Sequence, residues 1–386
     1  MLTRAITPEF HTLLREYPVV TLLGPRQSGK TTLARMALPD FEYLSLETPD
    51  VQQYAESDPK AFLSQHPPPV IFDEIQRTPD LLRYIQTHID AHPGNGQYVL
   101  TGSHQLELRA AITQSLAGRA ALLHLLPFSI RELDAAGITP DGFENYIIRG
   151  FLPRIYDQNQ RPYTAYANYY QTYVERDVRQ IIRLRDANLF NKFLRLLAGR
   201  VGQLVNYHSL AGDVGVDAKT IKEWLSILEA SFLIFPLPPY FENFGKRIIK
   251  SPKYYFTDVG LLAYLLNIET PAQVLRDPLM GSLFENLVIL EALKTRYNQG
   301  KAAELYFYRD SHGYEIDLLY PIGRQLGGVE IKAAATFHPG FKKTLLRFDQ
   351  RQHPLAQSHV IYNGDPMRFS DGVQVLHFRD TAALFP

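Results

Sequence analysis

Three groups of residues in this 386-residue chain have types and spacings that can do chemistry. The first is Gly24-Pro25-Arg26-Gln27-Ser28-Gly29-Lys30-Thr31, continued by Thr32. Glycines at both ends of a short loop let main-chain N–H groups wrap a polyphosphate, and a helix opening at Gly29 adds its dipole. Lys30 is spaced to reach the β- and γ-phosphates, and the Thr31 hydroxyl to bind Mg²⁺. The second group is Pro69-Val70-Ile71-Phe72-Asp73-Glu74, an apolar run ending in two carboxylates. Paired with the loop, Asp73 would hold Mg²⁺ through water, and Glu74 would polarise the water that attacks the γ-phosphate. ATP and Mg²⁺ are therefore the expected cofactors. Thr101 or Ser103, at the end of the next apolar run, would orient that water or simply cap a helix. Arg119 is a candidate arginine finger or in-cis sensor, because a guanidinium stabilises charge that grows in the transition state. A surface salt bridge is the competing role.

The third group lies toward the C-terminus. In Gly313-Tyr314-Glu315-Ile316-Asp317-Leu318-Leu319, period-two alternation puts Glu315 and Asp317 on one strand face and Ile316 and Leu318 on the other. In Gly328-Val329-Glu330-Ile331-Lys332, Glu330 and Lys332 project together in the same way. Neighbouring strands would gather Asp317, Glu330 and Lys332. Two carboxylates, the Ile331 carbonyl and water can hold a Mg²⁺ ion, and the lysine can activate a water or steady a phosphate. A structural ion cluster is the alternative.

The elements that must position these groups follow from the apolar pattern. Strands are expected at Val19–Leu23, Tyr43–Leu46, Val70–Phe72, Tyr98–Leu100 and Leu122–Leu126, with helices near 29–38, 50–64, 79–92 and 104–117. Continuous apolar strands alternating with helices indicate an α/β fold with a parallel sheet covered on both faces. Residues 128–186 read as mostly helical, and Tyr163, Tyr166, Tyr169, Tyr170 and Tyr173 are expected to pack rather than stack on bases. A helix near 189–200, a short one at Ser209–Gly212, a Gly215 turn and a helix capped by Asp217 come next. Strands Phe232–Leu237 and Lys253–Phe256 flank a loop holding Lys246, Arg247 and Lys250, an order that reads as a winged helix-turn-helix. The last third reads helix 281–296, strands 304–309, 314–320 and 327–333, helix 339–350, then strands 358–362 and 373–378. The expected units are 1–127, 128–186, 187–265 and 266–386.

Composition sets outer limits. With 45% hydrophobic and 21% charged residues, the chain is an ordinary globular one, and the absence of cysteine excludes disulfides and thiolate metal sites. Met1–Ile6 has no apolar core of signal-peptide length, and stretches such as Leu261–Leu266 are too short to span a bilayer, so a cytoplasmic location without membrane contact is expected. Formal net charge is zero, but residues 1–130 carry 10 Lys and Arg against 13 Asp and Glu. Residues 187–256 carry 9 against 5. A basic middle segment behind a slightly acidic front points to local contact with a polyanion, and DNA is the expected partner, through Lys219, Lys222 and the wing-loop cations with Lys253. A winged helix can also dock protein, and a homo-oligomer is compatible with an arginine finger.

These motifs resemble a widespread family of prokaryotic AAA+-type ATPases that carry a C-terminal region of unknown function. The resemblance rests on Gly24–Leu33, Phe72-Asp73-Glu74-Ile75-Gln76, Leu100-Thr101-Gly102-Ser103, Leu116-Ala117-Gly118-Arg119 and Leu126-Pro127-Phe128-Ser129. It implies an AAA-type core with a helical lid. His104 stands where the family pattern calls for a small polar residue such as Asn. Tyr173–Val178 also resembles a family segment, in which Arg176 either senses nucleotide or forms an intrahelical salt bridge. Asp317 followed by Glu330-Ile331-Lys332 resembles the PD-(D/E)xK nuclease superfamily, a restriction-endonuclease-like α/β fold. Glu285 matches an acidic position on the preceding helix and Arg309 would approach the same edge. The combined expectation is an ATPase acting on DNA, with a nuclease-like metal site at Asp317, Glu330 and Glu285. The alternative is a nucleotide-dependent switch that binds a protein partner.

Overall fold

The computed structural model describes residues 2–103, 112, 114–178, 187–240, 251–310, 312–351 and 354–385. Strands β1 (Val19–Leu23), β2 (Glu42–Ser45), β3 (Val70–Asp73), β4 (Tyr98–Gly102) and β5 (Ala120–His124) form one parallel sheet in the order β2-β3-β4-β1-β5. The three central strands are buried along their whole length, as unbroken apolar runs require when helices cover both faces. The edge strands β2 and β5 are partly exposed. Registers Leu23↔Gly102 and Phe72↔Leu100 bring the carboxyl ends of β1, β3 and β4 to one edge. That edge is where a parallel sheet presents its ligand site.

The helices Ile130–Ala135, Gly142–Arg149, Pro153–Asp157 and Pro162–Tyr169, with a π-helical stretch Tyr170–Val178, follow the sheet. Tyr166, Tyr169, Tyr170 and Tyr173 are buried there while Tyr163 is exposed, so four of the five tyrosines are packing residues. Next come helices Ala187–Ala198, Tyr207–Val214 and Ala218–Ala230, then the antiparallel pair β6 (Ile234–Leu237) and β7 (Lys253–Phe256). The Asp217 side chain caps the third of these helices by accepting from the Thr220 amide at 2.6 Å. Its Ile221, Trp224, Leu225 and Leu228 are buried, with Trp224 wedged edge-on against Phe190 at 5.4 Å.

The C-terminal unit opens with the helix Met280–Asn298 and builds a six-stranded mixed sheet in the order β12-β13-β11-β10-β9-β8. Here β8 is Tyr306–Arg309, β9 Glu315–Ile322, β10 Gln325–Lys332, β11 Leu355–Tyr362, β12 Met367–Arg368 and β13 Val373–His377. The first three are antiparallel, and β10, β11 and β13 run parallel. The helix Met280–Asn298 is buried nearly all round, because it packs on this sheet and also on the segment that follows the parallel sheet, through residues such as Lys294. Features beyond the sequence reading include the helices Thr7–Glu16, Val259–Leu265 and Pro271–Val274, the short strand β12, and the 3₁₀ turn Pro339–Lys342 that replaces the first turn of the expected helix 339–350. No helix among the described residues is long and apolar enough to cross a membrane.

Candidate nucleotide site and a second charged cluster

β1 delivers the chain into Gly24, where an ideal Cβ would stand 2.0 Å from the Leu125 carbonyl oxygen, so only glycine fits. The loop then turns through left-handed backbone at Gln27 (φ 62°) and Gly29 (φ 92°) into the helix Lys30–Ala37. Lys30 is 5% exposed and donates to the carbonyls of Gly24 (3.0 Å) and Pro25 (2.9 Å). Burial holds its pKa below the ordinary lysine value, against the pull of Glu74 and Asp73. The Thr31 hydroxyl donates to Asp73 (2.9 Å to Oδ1), and Tyr43 (2.9 Å) and Thr101 donate to the same carboxylate. The Tyr43 phenol is pushed up to about 12 by burial and by Asp73. A hydroxyl and a carboxylate side by side at a strand end are hard oxygen donors, which fit Mg²⁺. The Ser28 hydroxyl is buried in the loop without a hydrogen bond among the described residues. A cleft of about 710 Å³ opens over Lys30, Thr31, Asp73 and Glu74 and extends to Phe128 and Arg154, room enough for a nucleoside triphosphate.

Glu74 sits in left-handed backbone (φ 58°, ψ 49°), a conformation that costs a non-glycine residue about 1–3 kcal/mol and must be imposed by its surroundings. Its amide donates to Thr101 Oγ1 at 3.1 Å, and its carboxylate accepts from Ser103 Oγ (3.0 Å) and from Gln76. Burial raises its pKa, but Lys30, Gln76 and Ser103 together outweigh burial, and the net shift is downward. Glu74 is thus an anion at neutral pH, suited to orienting and polarising a water. Ser103 touches Glu74, and Thr101 touches both Glu74 and Asp73. Gln76 was not singled out from the sequence, because only the turn after Glu74 brings it back onto that carboxylate.

In the C-terminal sheet, the β9–β10 register pairs Leu318 with Val329, so Asp317 and Glu330 are neighbours on one face. Lys332 Nζ lies 3.1 Å from Asp317 and 2.7 Å from Glu330, and the Ile331 amide donates to Asp317 at 2.8 Å. Glu330 is 3% exposed, and its Oε1 has no hydrogen-bond partner among the described residues. Burial, then Asp317, pushes its carboxyl up to about 8 although Lys332 opposes the shift. Beside this trio, Glu285 takes the Lys253 ammonium at 3.0 Å and the Tyr255 hydroxyl, and Lys253 also pairs with Glu315, which Arg309 meets at 3.0 Å. Burial raises the Glu285 carboxyl too, with Lys253 pulling against it. Four carboxylates are therefore interleaved with two lysines and one arginine. Among the described residues no three His, Asp or Glu side chains converge as a ready metal-ligand set.

Comparison with known proteins agrees with the first of these sites. Residues 16–134 match the AAA domain family, residues 140–272 a domain of unknown function (DUF8612), and residues 280–380 a second domain of unknown function (DUF4143). The uncharacterized protein Rv2008c of Mycobacterium tuberculosis is 30% identical over 358 residues, which span 91% of this chain and 78% of the relative, and an uncharacterized Mycobacterium bovis protein matches to the same extent. The chain belongs to this AAA-domain family. An uncharacterized Haemophilus influenzae protein is 23% identical over 72% of this chain and 75% of its own length. Among solved structures, the Walker-type ATPase of Pyrococcus abyssi superposes with a TM-score of 0.45 at 17% identity, over 69% of this chain and 96% of that one.

Two residues, Arg119 in the AAA domain and Lys253 in the following domain, stand elsewhere than the sequence suggested. Arg119 precedes β5 at the start of the strands, opposite the edge that carries the loop, and its carbonyl accepts from the Val19 amide. Its guanidinium grips Asp90 in bidentate fashion at 2.7 and 3.0 Å. It is therefore no in-cis sensor; the salt bridge is what forms. Lys253 is 2% exposed inside the carboxylate cluster and is not a wing cation. On the helix Ala218–Ala230, Lys219 stands exposed beside Glu223 at 3.8 Å, and Lys222 lies over the Tyr207 ring. His104, the side chain of Arg176, and the loop cations Lys246, Arg247 and Lys250 lie outside the described residues.

Proposed function

We propose that this AAA-domain protein hydrolyses ATP in a Mg²⁺-dependent reaction and uses that cycle on DNA. The carrying observation is that Lys30, Thr31, Asp73 and Glu74 converge on one cleft at the carboxyl edge of the parallel sheet. Thr31 and Asp73 would hold Mg²⁺, whose role is to neutralise phosphate charge as the terminal bond breaks. Lys30 would exchange its two loop carbonyls for phosphate oxygens. Glu74, fixed by Ser103 and Gln76, would align the attacking water. The three helices and hairpin over residues 187–256 are read as a winged helix that meets phosphates. In this reading Asp317 and Glu330 form a cation site of the PD-(D/E)xK kind, supported by the unpartnered Glu330 oxygen, with Lys332 lending its ammonium to a scissile phosphate.

A second reading, a nucleotide-dependent switch that binds a protein partner through an inert C-terminal fold, is favoured by one observation. Lys332 already bridges Asp317 and Glu330, so a cation there must displace an ammonium. Supercoiled plasmid incubated with Mg²⁺ or Mn²⁺ separates the two. The first reading expects nicking by the wild type that Lys332→Ala abolishes, together with ATP turnover that rises with DNA. Equal plasmid integrity for both proteins and turnover indifferent to DNA support the second.

A further inference from the structure

Four buried charges, of which Arg4 lines the cleft, connect the phosphate loop to the helix Met280–Asn298. Arg4, ahead of the AAA match, is 7% exposed. Its guanidinium donates to the Ser28 carbonyl in the phosphate loop (2.7 Å), the Leu126 carbonyl (2.6 Å) and Glu132 (2.9 Å), and lies 5.0 Å from the Phe128 ring centre. Glu132 also accepts from the amides of Ala5 (2.7 Å) and Ser129 (2.8 Å). On the other side of the same segment, the C-terminal helix Met280–Asn298 supplies Glu291 and Lys294. Glu291 accepts from the Ile130 amide at 2.7 Å; Lys294 donates to the Phe128 carbonyl at 2.6 Å and to Glu291 at 2.8 Å. Six residues before Glu291, the same helix carries Glu285 of the second cluster.

A trans peptide is planar, so its carbonyl and the following N–H point to opposite sides. Holding the Ser28 carbonyl on Arg4 turns the Gly29 N–H away from Arg4 and fixes one of the amides that a phosphate loop offers to its ligand. Gly29 itself has φ 92° and could otherwise rotate readily. We propose that Arg4 is a positioning residue for the nucleotide site and that the Glu291–Lys294 pair sets it, by clamping residues 126–132 from the C-terminal unit. Apolar residues would fill such a space at less cost than two buried ion pairs, and apart from the Ala5–Glu132 bond and the pairing of the charges with one another, the bonds they make end on the loop or on residues 126–130. Burial lowers the Lys294 pKa and raises that of Glu291, and their mutual attraction pulls each the other way without overcoming it.

This inference rests on the ATP reading above, and the test keeps the two apart. Binding of a non-hydrolysable ATP analogue with Mg²⁺, and steady-state turnover, would be measured on the full-length protein for wild type, Arg4→Lys, Lys294→Met and Lys30→Ala. If the wild type binds no analogue, the ATP reading fails. If it binds and Lys30→Ala does not, the expected result is that Arg4→Lys and Lys294→Met each weaken analogue affinity roughly tenfold to hundredfold, the loss of about one charge-assisted bond. KM for ATP should rise with kcat little changed, since the Gly29 amide meets the phosphate in ground and transition states alike. Folded variants with wild-type affinity and KM, whatever their melting temperature, overturn the proposal. Should Lys294→Met not fold, Glu291→Gln, which keeps the acceptor for Ile130, gives the same decision.

Discussion

Replacing Lys30 with Met removes a charge while keeping an unbranched side chain of similar reach. In the free protein the ammonium is 5% exposed and satisfied by the Gly24 and Pro25 carbonyls at 3.0 and 2.9 Å. A bound triphosphate must take over those bonds. A hydrogen bond to a charged group is worth about 1.5–3 kcal/mol, so the exchange by itself is nearly balanced. What the nucleotide adds is Coulombic: two unit charges 4 Å apart at an effective dielectric of 20 attract by about 4 kcal/mol. Partial desolvation of the phosphate takes back a share, leaving about 2–3 kcal/mol, or roughly 30- to 150-fold in affinity. The free protein should hardly notice the change. Burial already works against the Lys30 charge, and losing two carbonyl partners offsets that relief, for a net effect within about 1 kcal/mol. Titration calorimetry with a non-hydrolysable ATP analogue and Mg²⁺, beside thermal melting, reads both quantities. The expected result is a loss of affinity of about 30-fold or more with a melting temperature close to wild type. A folded Lys30→Met protein that binds within about threefold of wild type would refute the reasoning.

Two further expectations concern single groups. Because burial and Asp317 raise Glu330 to about 8, the folded protein keeps a proton that the unfolded chain releases near pH 4.3. The stability contribution of Glu330 therefore falls as pH rises between those values and levels off above the higher one. Glu330→Gln should melt above wild type by a margin that widens from about pH 5 to about pH 9, and a constant margin would contradict the assignment. Arg119→Ala should leave ATP-analogue affinity unchanged and cost at most about 1 kcal/mol of stability, since it breaks the partly exposed pair with Asp90 and a long, exposed bond to the Ala117 carbonyl. A loss of analogue affinity would reinstate an in-cis role. If Arg119 acts as a finger across subunits, the variant's turnover defect should appear only at concentrations where the wild type assembles.

The parallel sheet was legible from the sequence because its strands are short, apolar and buried on both faces; β1 spans Val19–Leu23 as the pattern predicts, and the others shift by a residue or two. Asp73 and Glu74 were legible for the same reason, as the polar end of a buried strand. The β9–β10 trio followed from alternation together with the assumption, met by the register, that the two strands are neighbours. What local pattern could not reveal was burial purchased by distant partners. Lys253 reads as a wing cation until Glu285 and Glu315 are folded around it. Glu291 and Lys294 look like an ordinary solvated pair, yet their other partners, Ile130 and Phe128, are 161 and 166 residues away. Arg4 stands in no motif, and its meaning depends on three acceptors contributed by the phosphate loop and residues 126 and 132. Arg119 was misplaced because Leu116–Arg119 fixes its neighbours in sequence but not the end of the sheet on which it emerges.

Phosphate release from ATP, compared between wild type and Glu74→Gln in saturating Mg²⁺, tests the central claim most directly. The account expects steady turnover by the wild type and a drop of about a hundredfold or more in the variant, which should still bind ATP. Equal rates for the two proteins, or a wild type that binds ATP without ever releasing phosphate, would contradict it.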